Sequence, residues 1–433
     1  MASRAAGGHK KGNSMEKKRI YFDNAATSFP KPEAVADEMC RYIKEVGSNV
    51  NRSSYSSAYD AEEKVLGTRQ QIKALFSAPD ERNVIFAANV TMSLNMVLKG
   101  LLKPGDHVLT SSMEHNAVMR PLTALKERGI ITFDRVPCDA CGFTDAMSLE
   151  KFIMPDTRAV VMTHASNVNG AVQPVGSIGK LCRERDILFI VDAAQTAGVL
   201  DIDMEEMCID VLCFTGHKGL MGPQGTGGFC IGKRAEGLID TVLEGGTGSA
   251  SHLETMPDIL PDRYEPGTLN LPGIYGLSAG LEFIAKTGIK NIRERERALC
   301  ERFINGIKDI PGVRIVGRLD EEPVCPGFGG DAKDPRFVCS GACGDCPSAD
   351  STGRYVAVTS LVFDGIDAAR AAFVLEDEYG IMTRVGLHCA PAAHKSLDTF
   401  TEGTVRFSFG YFNTEEEIDH GIEAIGKLCE RRG

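Results

Sequence analysis

The 433-residue chain has no tryptophan, a low aromatic content of 7% and no long apolar run. No stretch approaches the roughly 20 apolar residues that a membrane-spanning helix needs. Acidic residues outnumber basic ones, for a formal net charge of -11, and no basic run is present. This balance argues against a nucleic-acid-binding surface. What is left is a soluble globular chain that is long enough for two domains.

The N-terminal residues 1–19 are small, polar and basic, and they lack the apolar core of a secretory signal. We interpret them as a disordered tail. Without an export signal, the 14 cysteines of the chain are expected to be mostly reduced thiols. The sequence therefore predicts a cytoplasmic protein.

Seven short, apolar, β-rich runs alternate with helix-length segments through the first two thirds of the chain. This alternation predicts an α/β fold in which helices cover a mainly parallel, seven-stranded sheet. After about residue 275, a long helical stretch, several short strands and a final helix predict a smaller α+β domain, with the long helix bridging the two. The predicted bounds are 36–274 for the large domain and 20–35 with 275–433 for the small one. The seven runs are 83–88, 107–112, 131–137, 159–166, 187–194, 211–216 and 227–232.

Polar side chains gather where two of these runs end. Asp192 and Gln195 follow the run ILFIV, while Thr215, His217 and Lys218 end the run VLCFTGHK. Because ligand sites of parallel sheets lie at the carboxyl ends of strands, we expect these side chains to share a site. An acid for the ring nitrogen, donors for the phenolate and phosphate, and a lysine for covalent attachment suit pyridoxal 5'-phosphate (PLP). Taken alone, Asp192 is equally well an N-cap or a metal ligand.

Two further segments offer groups for such a cofactor. Thr91 caps or opens a helix directly after the run 83–88, and a helix N-terminus suits a phosphate. A simple N-cap is the alternative role for Thr91. His115 follows the run 107–112 and could stack its flat ring on the pyridine, although by itself it would be a structural histidine.

A cysteine and an arginine near the C-terminus narrow the chemistry. Cys389 lies in the segment RVGLHCAPAAH, where His388 and His394 could favour the nucleophilic thiolate. An inert buried thiol is the alternative. Arg406 interrupts the apolar run TVRFSFG, and a buried guanidinium needs an anion. That anion is either a substrate carboxylate, held by both arms of the guanidinium, or an internal salt-bridge partner.

From about residue 20 to the C-terminus, apart from one insertion, the chain resembles the cysteine desulfurases with a short catalytic loop. It contains, in the order found in that family, the motifs DNAATS, SSMEHNA, ASNVNG, VDAAQTAG, TGHKGLMGPQGTGG, EPGTLN, GLHCAP and TVRFSFGYFNT. The resemblance implies the fold-type I PLP-dependent transferase architecture of the class V aminotransferase group. It also implies a homodimer that converts L-cysteine to L-alanine. Cys389 would keep the sulfur as a persulfide and pass it to an acceptor, as in iron–sulfur cluster assembly.

The resemblance also implies a role for each candidate residue. The catalytic residues would be Lys218, which carries PLP, Cys389 and His115. Arg406, Asn167 and Asn24 would bind the substrate. The cofactor would be held by Thr91, His115, Asn167, Asp192, Gln195, Thr215, His217, Lys218 and, from the neighbouring subunit, Thr268.

The predicted phosphate loop departs from the family pattern. Val90, Thr91 and Met92 stand where many relatives have paired threonines followed by glutamate. One hydroxyl and one acid are therefore missing, although the backbone donors remain. PLP binding is still expected, but contacts of this loop with a second subunit are in doubt.

The second departure is a cysteine-rich insertion, 319–353, within the small domain. Four thiolates could hold zinc or an iron–sulfur cluster. A loop of free thiols, or one that accepts sulfur from Cys389, is the alternative. The candidate ligands are Cys325, Cys339, Cys343 and Cys346.

Two rival functions stay open. The first is a selenocysteine lyase or another class V PLP lyase, because sulfur and selenium substrates differ by one atom. A transaminase is disfavoured, since it has no use for a nucleophilic Cys389. The second rival is a non-catalytic sulfur or iron–sulfur scaffold, which the presence of Lys218, Asp192 and Arg406 disfavours.

Overall fold

The computed structural model of the protein describes residues 19–50, 55–318 and 354–431. Most of the predicted tail and the whole insertion 319–353 lie outside these ranges. The strands are β1 (Ile20–Tyr21), β2 (Val84–Ala87), β3 (His107–Ser111), β4 (Thr132–Val136), β5 (Thr157–Thr163), β6 (Leu188–Asp192), β7 (Val211–Thr215), β8 (Gly227–Ile231), β9 (Val313–Ile315), β10 (Val358–Phe363), β11 (Ile381–Met382), β12 (Arg384–Gly386) and β13 (Thr404–Ser408). The α-helices are α1 (Glu33–Arg41), α2 (Ser56–Phe76), α3 (Val90–Leu101), α4 (Asn116–Glu127), α5 (Ala146–Glu150), α6 (Val175–Glu184), α7 (Leu271–Thr287), α8 (Ile289–Ile307), α9 (Ala368–Tyr379), α10 (Pro391–Ser396) and α11 (Glu415–Glu430).

The larger sheet has seven strands in the order β2-β8-β7-β6-β5-β3-β4. Its strands are the seven apolar runs of the sequence, so this prediction is confirmed. Strands β4, β3, β5, β6 and β7 pair in parallel, and β8 pairs antiparallel with β7 and β2. Every residue of β6, β7 and β8 is buried, which is typical of strands covered on both faces. The predicted mainly parallel sheet is therefore correct.

A smaller antiparallel sheet has the order β12-β13-β10-β9. The N-terminal strand β1 joins this part of the molecule, because it pairs in parallel with β11. One core of buried apolar side chains, including Phe22, Phe303 and Phe407, fills the space between this sheet and helices α8, α9 and α11. The smaller α+β unit expected from the sequence is thus present, while its exact bounds stay a prediction.

The single long bridging helix expected after residue 275 is wrong. The structure has two consecutive helices, α7 and α8, which are separated by Gly288 with a φ of 84°. Glycine takes this backbone conformation at no steric cost, so the chain turns there and starts a new helix. Helix α7 packs on α1 and α2, whereas α8 packs on α11. None of the described helices combines the length and the apolar character that a membrane crossing requires.

Candidate active site

Asp192 lies at the carboxyl end of β6, the central strand of the larger sheet. Its side chain is 2% exposed, and Oδ1 accepts a hydrogen bond from the backbone N–H of Ala194 at 2.9 Å. Burial raises the pKa of Asp192, and the nearby charge of Lys218 opposes that rise. A buried carboxylate with one backbone donor is costly unless a cation meets it. The position therefore suits the protonated ring nitrogen of PLP.

Lys218 follows β7, the neighbour of β6 in the sheet. Among residues 19–50, 55–318 and 354–431, no group forms a hydrogen bond or ion pair with its Nζ atom. Burial lowers the pKa of Lys218 to about 8, which the Asp192 charge partly opposes and the Arg406 charge enhances. A larger share of the amine is therefore neutral at physiological pH than in an ordinary lysine. A neutral amine is the form that attaches PLP and that removes protons.

We expect Lys218 in the cofactor-free protein to react with an amine-modifying reagent with a midpoint near pH 8. Below this pH the amine is protonated and unreactive, and its reactivity rises as pH passes the lowered pKa. Lys31 is a matched comparison, because burial lowers its pKa to about 8 as well. Peptide mass spectrometry after brief labelling measures both residues. Added PLP should protect Lys218 and leave Lys31 reactive; protection of neither or of Lys31 alone would contradict the assignment.

His115 is held at the N-terminus of α4, close to the positive charges of the site. Its Nδ1 accepts a hydrogen bond from the backbone N–H of Ala117 at 3.0 Å, so the neutral ring carries its proton on Nε2. Burial, with the charges of Lys218 and Arg384, lowers the pKa of His115 to about 4. The ring is therefore neutral at pH 7. The hydrogen bond to Nδ1 fixes the orientation of the ring, and a flat, uncharged ring suits stacking on a pyridine ring.

The end of the site that should hold the phosphate contains buried, under-used donors. Thr215 is 1% exposed, and its hydroxyl reaches only the Thr226 carbonyl at 3.5 Å. Nδ1 of His217 is buried and has no hydrogen-bond partner among the described residues. Gly227 faces Thr215 in the sheet, and a Cβ on Gly227 would lie 2.9 Å from the Cα of Asn89 at the start of α3. Orphaned donors beside a helix N-terminus fit a phosphate group.

The predicted capping role of Thr91 is wrong, because Asn89 caps the helix. The Asn89 side chain accepts from the backbone N–H of Met92 at 3.0 Å, and the helix begins at Val90. Asparagine is a better N-cap than threonine, and it satisfies this N–H directly. Thr91 is the second residue of the helix and is exposed, so its hydroxyl does not cap the helix. Thr268 is also exposed. Among the described residues of one chain, no hydrogen bond links Thr268 to the other candidate site residues.

Arg406 links three parts of the site. On β13 it is 2% exposed; one arm donates to Asp23 at 2.6 Å and another to the Asn167 carbonyl at 3.0 Å. The internal salt bridge that the sequence left open is therefore present. The guanidinium is not saturated, however, because its buried Nε has no hydrogen-bond partner among the described residues. Burial lowers the pKa of Arg406, whereas Asp23 raises it. An arginine still has capacity here for a second anion.

Asn24 and Gln195 form hydrogen bonds with other parts of the chain. The Asn24 amide donates to the Ser408 carbonyl at 3.2 Å and to Asn413 Oδ1 at 3.1 Å, and its oxygen accepts from the Phe29 backbone. These contacts leave little of Asn24 for the substrate, so that role stays a prediction. Gln195 donates to the Ala25 carbonyl at 3.1 Å and lines a cavity together with Lys218. Gln195 is thus placed beside the candidate PLP lysine.

Cys389 is exposed on a tightly held turn. His388 and Cys389 have φ values of 46° and 57°, a left-handed conformation that costs energy in residues with side chains. Two hydrogen bonds hold it: Asn167 Nδ2 donates to the His388 carbonyl at 2.7 Å, and the Asn116 N–H donates to the Cys389 carbonyl at 2.7 Å. The turn is thereby fixed between Asn167 and the helix that His115 caps. Such a site presents the thiol in a set orientation.

His388 and His394 place no positive charge beside Cys389, and the expectation that they favour its thiolate stays a prediction. Burial, with the charge of Arg406, lowers the pKa of His388 to about 2, and burial lowers that of His394 to about 4. Both rings are neutral at pH 7. Each uses one ring nitrogen on a threonine hydroxyl, at 2.9 Å to Thr404 and 2.7 Å to Thr399. The two histidines therefore support the shape of the turn and add no positive charge to it.

Three ionisable residues of the site were missed by the sequence reasoning. Asp23 pairs with Arg406, Arg384 faces Arg406 across β12 and β13, and Glu114, the residue before His115, is buried. Both Glu114 oxygens accept from the Thr163 backbone N–H, at 3.0 and 2.9 Å, and burial raises the pKa of Glu114 to about 8. All three lie in motifs quoted above. The sequence feature that could have identified them is an ionisable residue next to a run of apolar residues.

The metal site predicted for the insertion lies outside the described residues. Within the described part of the chain, no group of three or more His, Cys, Asp or Glu side chains is placed to hold a metal ion. The ten cysteines described there form no disulfide bond with one another. The candidate ligands outside these ranges are Cys325, Cys339, Cys343 and Cys346.

The sequence and the fold both match known proteins. The aminotransferase class V family model matches residues 20–328 and 345–420. A probable cysteine desulfurase of Methanothermobacter thermautotrophicus is 30% identical over 95% of this chain and 94% of its own. The cysteine desulfurase IscS of Vibrio cholerae is 31% identical over 94% of this chain and 91% of its own.

Solved structures agree. The cysteine desulfurase of Thermococcus onnurineus NA1 superposes with a TM-score of 0.81 at 28% identity, covering 95% of both chains. The cysteine desulfurase CsdA of Escherichia coli superposes with a TM-score of 0.79 at 26% identity, again covering 95% of both chains. The chain therefore belongs to the cysteine desulfurase family, within the class V aminotransferases and the fold-type I PLP enzymes.

Proposed function

We propose that the protein is a PLP-dependent cysteine desulfurase in which Lys218 carries the cofactor and Cys389 takes the sulfur. The observation that carries this proposal is the position of Asn167. Its carbonyl accepts from Arg406 at 3.0 Å, while its side chain donates to the backbone of the Cys389 turn at 2.7 Å. One residue thus couples the group that would hold a substrate carboxylate to the thiol that would meet the substrate sulfur.

The residues present fit PLP. Asp192 would pair with the ring nitrogen, His115 would cover the ring, and Gln195 would reach the phenolate. The orphaned Nδ1 of His217, the Thr215 hydroxyl, Thr91 and the N-terminus of α3 would hold the phosphate. When bound, PLP supplies an electron sink for the carbon next to the substrate amine. The burial of Asp192 supports this role, because a desolvated carboxylate interacts strongly with a cation.

Lys218 would move the proton of the reaction. Its lowered pKa of about 8 leaves the Nζ atom partly neutral, so it can accept the Cα proton of bound cysteine. The positive charges of Arg384 and Arg406 help to hold that pKa down. The same Nζ can later return a proton to the alanine product. His115, neutral and with its proton on Nε2, would hold the substrate side of the site in one orientation.

Cys389 would act as the nucleophile. Its thiolate attacks the substrate sulfur, the substrate Cβ–S bond breaks, and a new S–S bond forms on Cys389. The electron pair of the broken bond stays on the former substrate, which takes up a proton and leaves as alanine. No external oxidant or reductant is needed. The exposed position of Cys389 leaves the terminal sulfur open to an acceptor.

We expect Arg406→Lys to lower kcat/KM for cysteine roughly 10- to 100-fold, mainly through KM. A charge-assisted hydrogen bond is worth about 1.5–3 kcal/mol, and lysine cannot reproduce the planar fork of the guanidinium. Lysine keeps a positive charge beside Asp23, which limits the loss of stability. Asp23→Asn is the control, because it breaks the ion pair and leaves the guanidinium. Equal effects of both variants on KM would mean that Arg406 serves only the internal salt bridge.

The proposed reaction is tested by steady-state assay of the PLP-loaded protein with L-cysteine and a thiol reductant. Alanine and sulfide should appear in equal amounts. A scaffold would form neither, and a transaminase would need a 2-oxo acid. A selenocysteine lyase is the second candidate, because Cys389 would serve either substrate. Rates on selenocysteine and cysteine, measured in parallel, distinguish the two; a far higher kcat/KM on selenocysteine would overturn the cysteine assignment.

We also propose an oligomeric state, a sulfur acceptor and a location for this activity. Exposed Thr268 would complete the phosphate site of a neighbouring subunit in a homodimer. The sulfur would pass to an acceptor protein in the cytoplasm, as iron–sulfur cluster assembly requires. The name of the IscS relative supports a role in sulfur supply. Size-exclusion chromatography with light scattering tests the dimer, and a monomer with full PLP occupancy would contradict it.

A further inference from the structure

A buried ion pair closes one edge of the larger sheet. Strand β2 is the outermost strand on that side and pairs with β8. Along its other side, Arg69 donates to the carbonyl of Val84. The backbone N–H of Phe86 donates to Oε1 of Glu265 at 2.6 Å. Because Arg69 and Glu265 also bind each other through two hydrogen bonds, at 2.8 and 2.5 Å, the pair takes the place of a further strand.

This ion pair holds Glu265 in one position. Arg69 is 5% exposed and Glu265 is 9% exposed, and the guanidinium carbon of Arg69 lies 4.5 Å from the centre of the Phe86 ring. A buried ion pair is often no more stable than a pair of apolar side chains, because both charges lose water. Two parallel hydrogen bonds between a guanidinium and a carboxylate do, however, fix their mutual geometry. We therefore look for the role of this pair in what it orients.

The chain leaves the core directly after Glu265. Gly267 and Thr268 are exposed, and Gly267 has a φ of 91°, which glycine adopts at no steric cost. On the far side of this turn, the Asn270 side chain donates to the carbonyl of Gly225 at 2.9 Å and caps α7. Thr268 is thus exposed on a short turn that is anchored on both sides, by Glu265 and by Asn270.

Strand β2 also leads to the phosphate site proposed for its own chain. Phe86, whose N–H Glu265 binds, lies three residues before Asn89, which caps α3. One strand therefore carries the N-terminus of α3 and, through Glu265, the turn with Thr268. In the proposed homodimer these two groups belong to different phosphate sites. The ion pair lies between them.

We propose that Glu265, fixed by Arg69, is a positioning residue that sets Thr268 for the cofactor phosphate of the neighbouring subunit. This inference rests on the proposed function, because it deepens the shared phosphate site named there. A hydroxyl on a short side chain forms a hydrogen bond over a narrow range of distances, so its backbone must be placed to within about 0.5 Å. Val90 adds no hydroxyl to the phosphate loop of this chain, which increases the share of the donor on Thr268.

Hybrid dimers of the full chain test this inference. Two chains with different affinity tags are co-expressed and purified through both tags, and one chain always carries Lys218→Ala. Each hybrid therefore has one subunit that can attach PLP. In the same-chain hybrid, Glu265→Gln lies on the Lys218→Ala chain, and the other chain is the parent. In the split hybrid, Glu265→Gln lies on the chain that keeps Lys218.

The two hybrids contain the same substitutions and differ in which chain lends Thr268 to the intact Lys218. PLP is titrated into each hybrid, borohydride traps the attached cofactor, and intact mass gives the PLP concentration for half attachment. The same-chain hybrid should need at least about tenfold more PLP than the parent chain paired with Lys218→Ala, because a hydrogen bond to a charged phosphate is worth this much. The split hybrid should match that reference. Loss in the split hybrid alone, equal loss in both, or loss in neither would overturn the inference.

Two further variants keep the outcome interpretable. Thr268→Ala, placed in the same two arrangements, reports on the shared site itself. If it gives no difference between the arrangements, Thr268 does not serve the neighbouring subunit and that part of the proposed function fails. If it gives the difference and Glu265→Gln does not, the inference about Glu265 fails alone. Because Glu265→Gln leaves a buried guanidinium unpaired, Arg69→Met/Glu265→Gln removes both charges and should reproduce the result of Glu265→Gln.

Discussion

Replacing Lys218 by alanine should abolish covalent attachment of PLP and lower cysteine turnover by about a thousandfold or more. The structure gives two reasons. Lys218 is the lysine whose lowered pKa of about 8 and place beside the Asp192 charge suit it for attachment. Its amine is also the group proposed to move the Cα proton, and general acid–base catalysis alone is worth about 100- to 10,000-fold. Borohydride reduction followed by intact mass measures the attachment, and alanine formation measures the turnover.

Lys31→Ala is the matched control for attachment. The pKa of Lys31 is also lowered to about 8 by burial, and its amine donates to the His217 carbonyl at 3.1 Å. The two lysines are thus near neighbours with similar basicity. The control should keep covalently bound PLP. Attachment that survives Lys218→Ala and disappears in Lys31→Ala would mean that Lys31, and not Lys218, carries the cofactor.

Cys389→Ser should leave PLP binding intact and reduce alanine and sulfide formation by at least about a thousandfold. A serine hydroxyl in the same turn is neither ionised nor a match for sulfur, so the attack that breaks the substrate Cβ–S bond is lost. The hydrogen bonds that hold the turn are accepted by the backbone carbonyls of His388 and Cys389, so they survive the substitution. The loss should therefore appear in kcat with little change in stability.

Cys40→Ser is the control for this variant. Among the described cysteines, Cys40 and Cys389 are the two that are classed as exposed. General loss of an accessible thiol is thus matched, and the Cys40 variant should retain parent activity. An unchanged rate in Cys389→Ser would show that another group, or no covalent step, removes the sulfur.

The sheet and the strand-end residues were predictable from the sequence because they depend on local pattern. The apolar runs mark the strands, and parallel strands bring Asp192 and Thr215 to one edge. Partners across the chain leave no such pattern. Asp23 and Arg406 are far apart in sequence, and nothing in the run TVRFSFG states that its arginine already holds an acid. The sequence could therefore offer two roles for Arg406 and not choose between them.

Features that depend on burial were also beyond the sequence. His388 and His394 lie within five residues of Cys389 along the chain, and charged histidines close to a thiol favour its thiolate. The structure buries both, so the cost of desolvating a charge keeps them neutral. The N-cap of α3 was missed for a simpler reason. Asparagine and threonine are both common at helix N-caps, and the step from Thr91 to Asn89 is two positions. A shift of this size is within the usual uncertainty of a helix end.

The most direct test of the account is the fate of sulfur in one turnover. The PLP-loaded protein, with Cys325, Cys339, Cys343 and Cys346 replaced by serine, is mixed with L-cysteine in the absence of reductant. Alanine is counted per subunit, and peptide mass spectrometry locates the added sulfur. We expect one alanine per subunit, with one sulfur atom on Cys389 for each alanine. Alanine formed without sulfur on Cys389, or sulfur found on another residue, would contradict the assignment of Cys389 as the sulfur-accepting nucleophile.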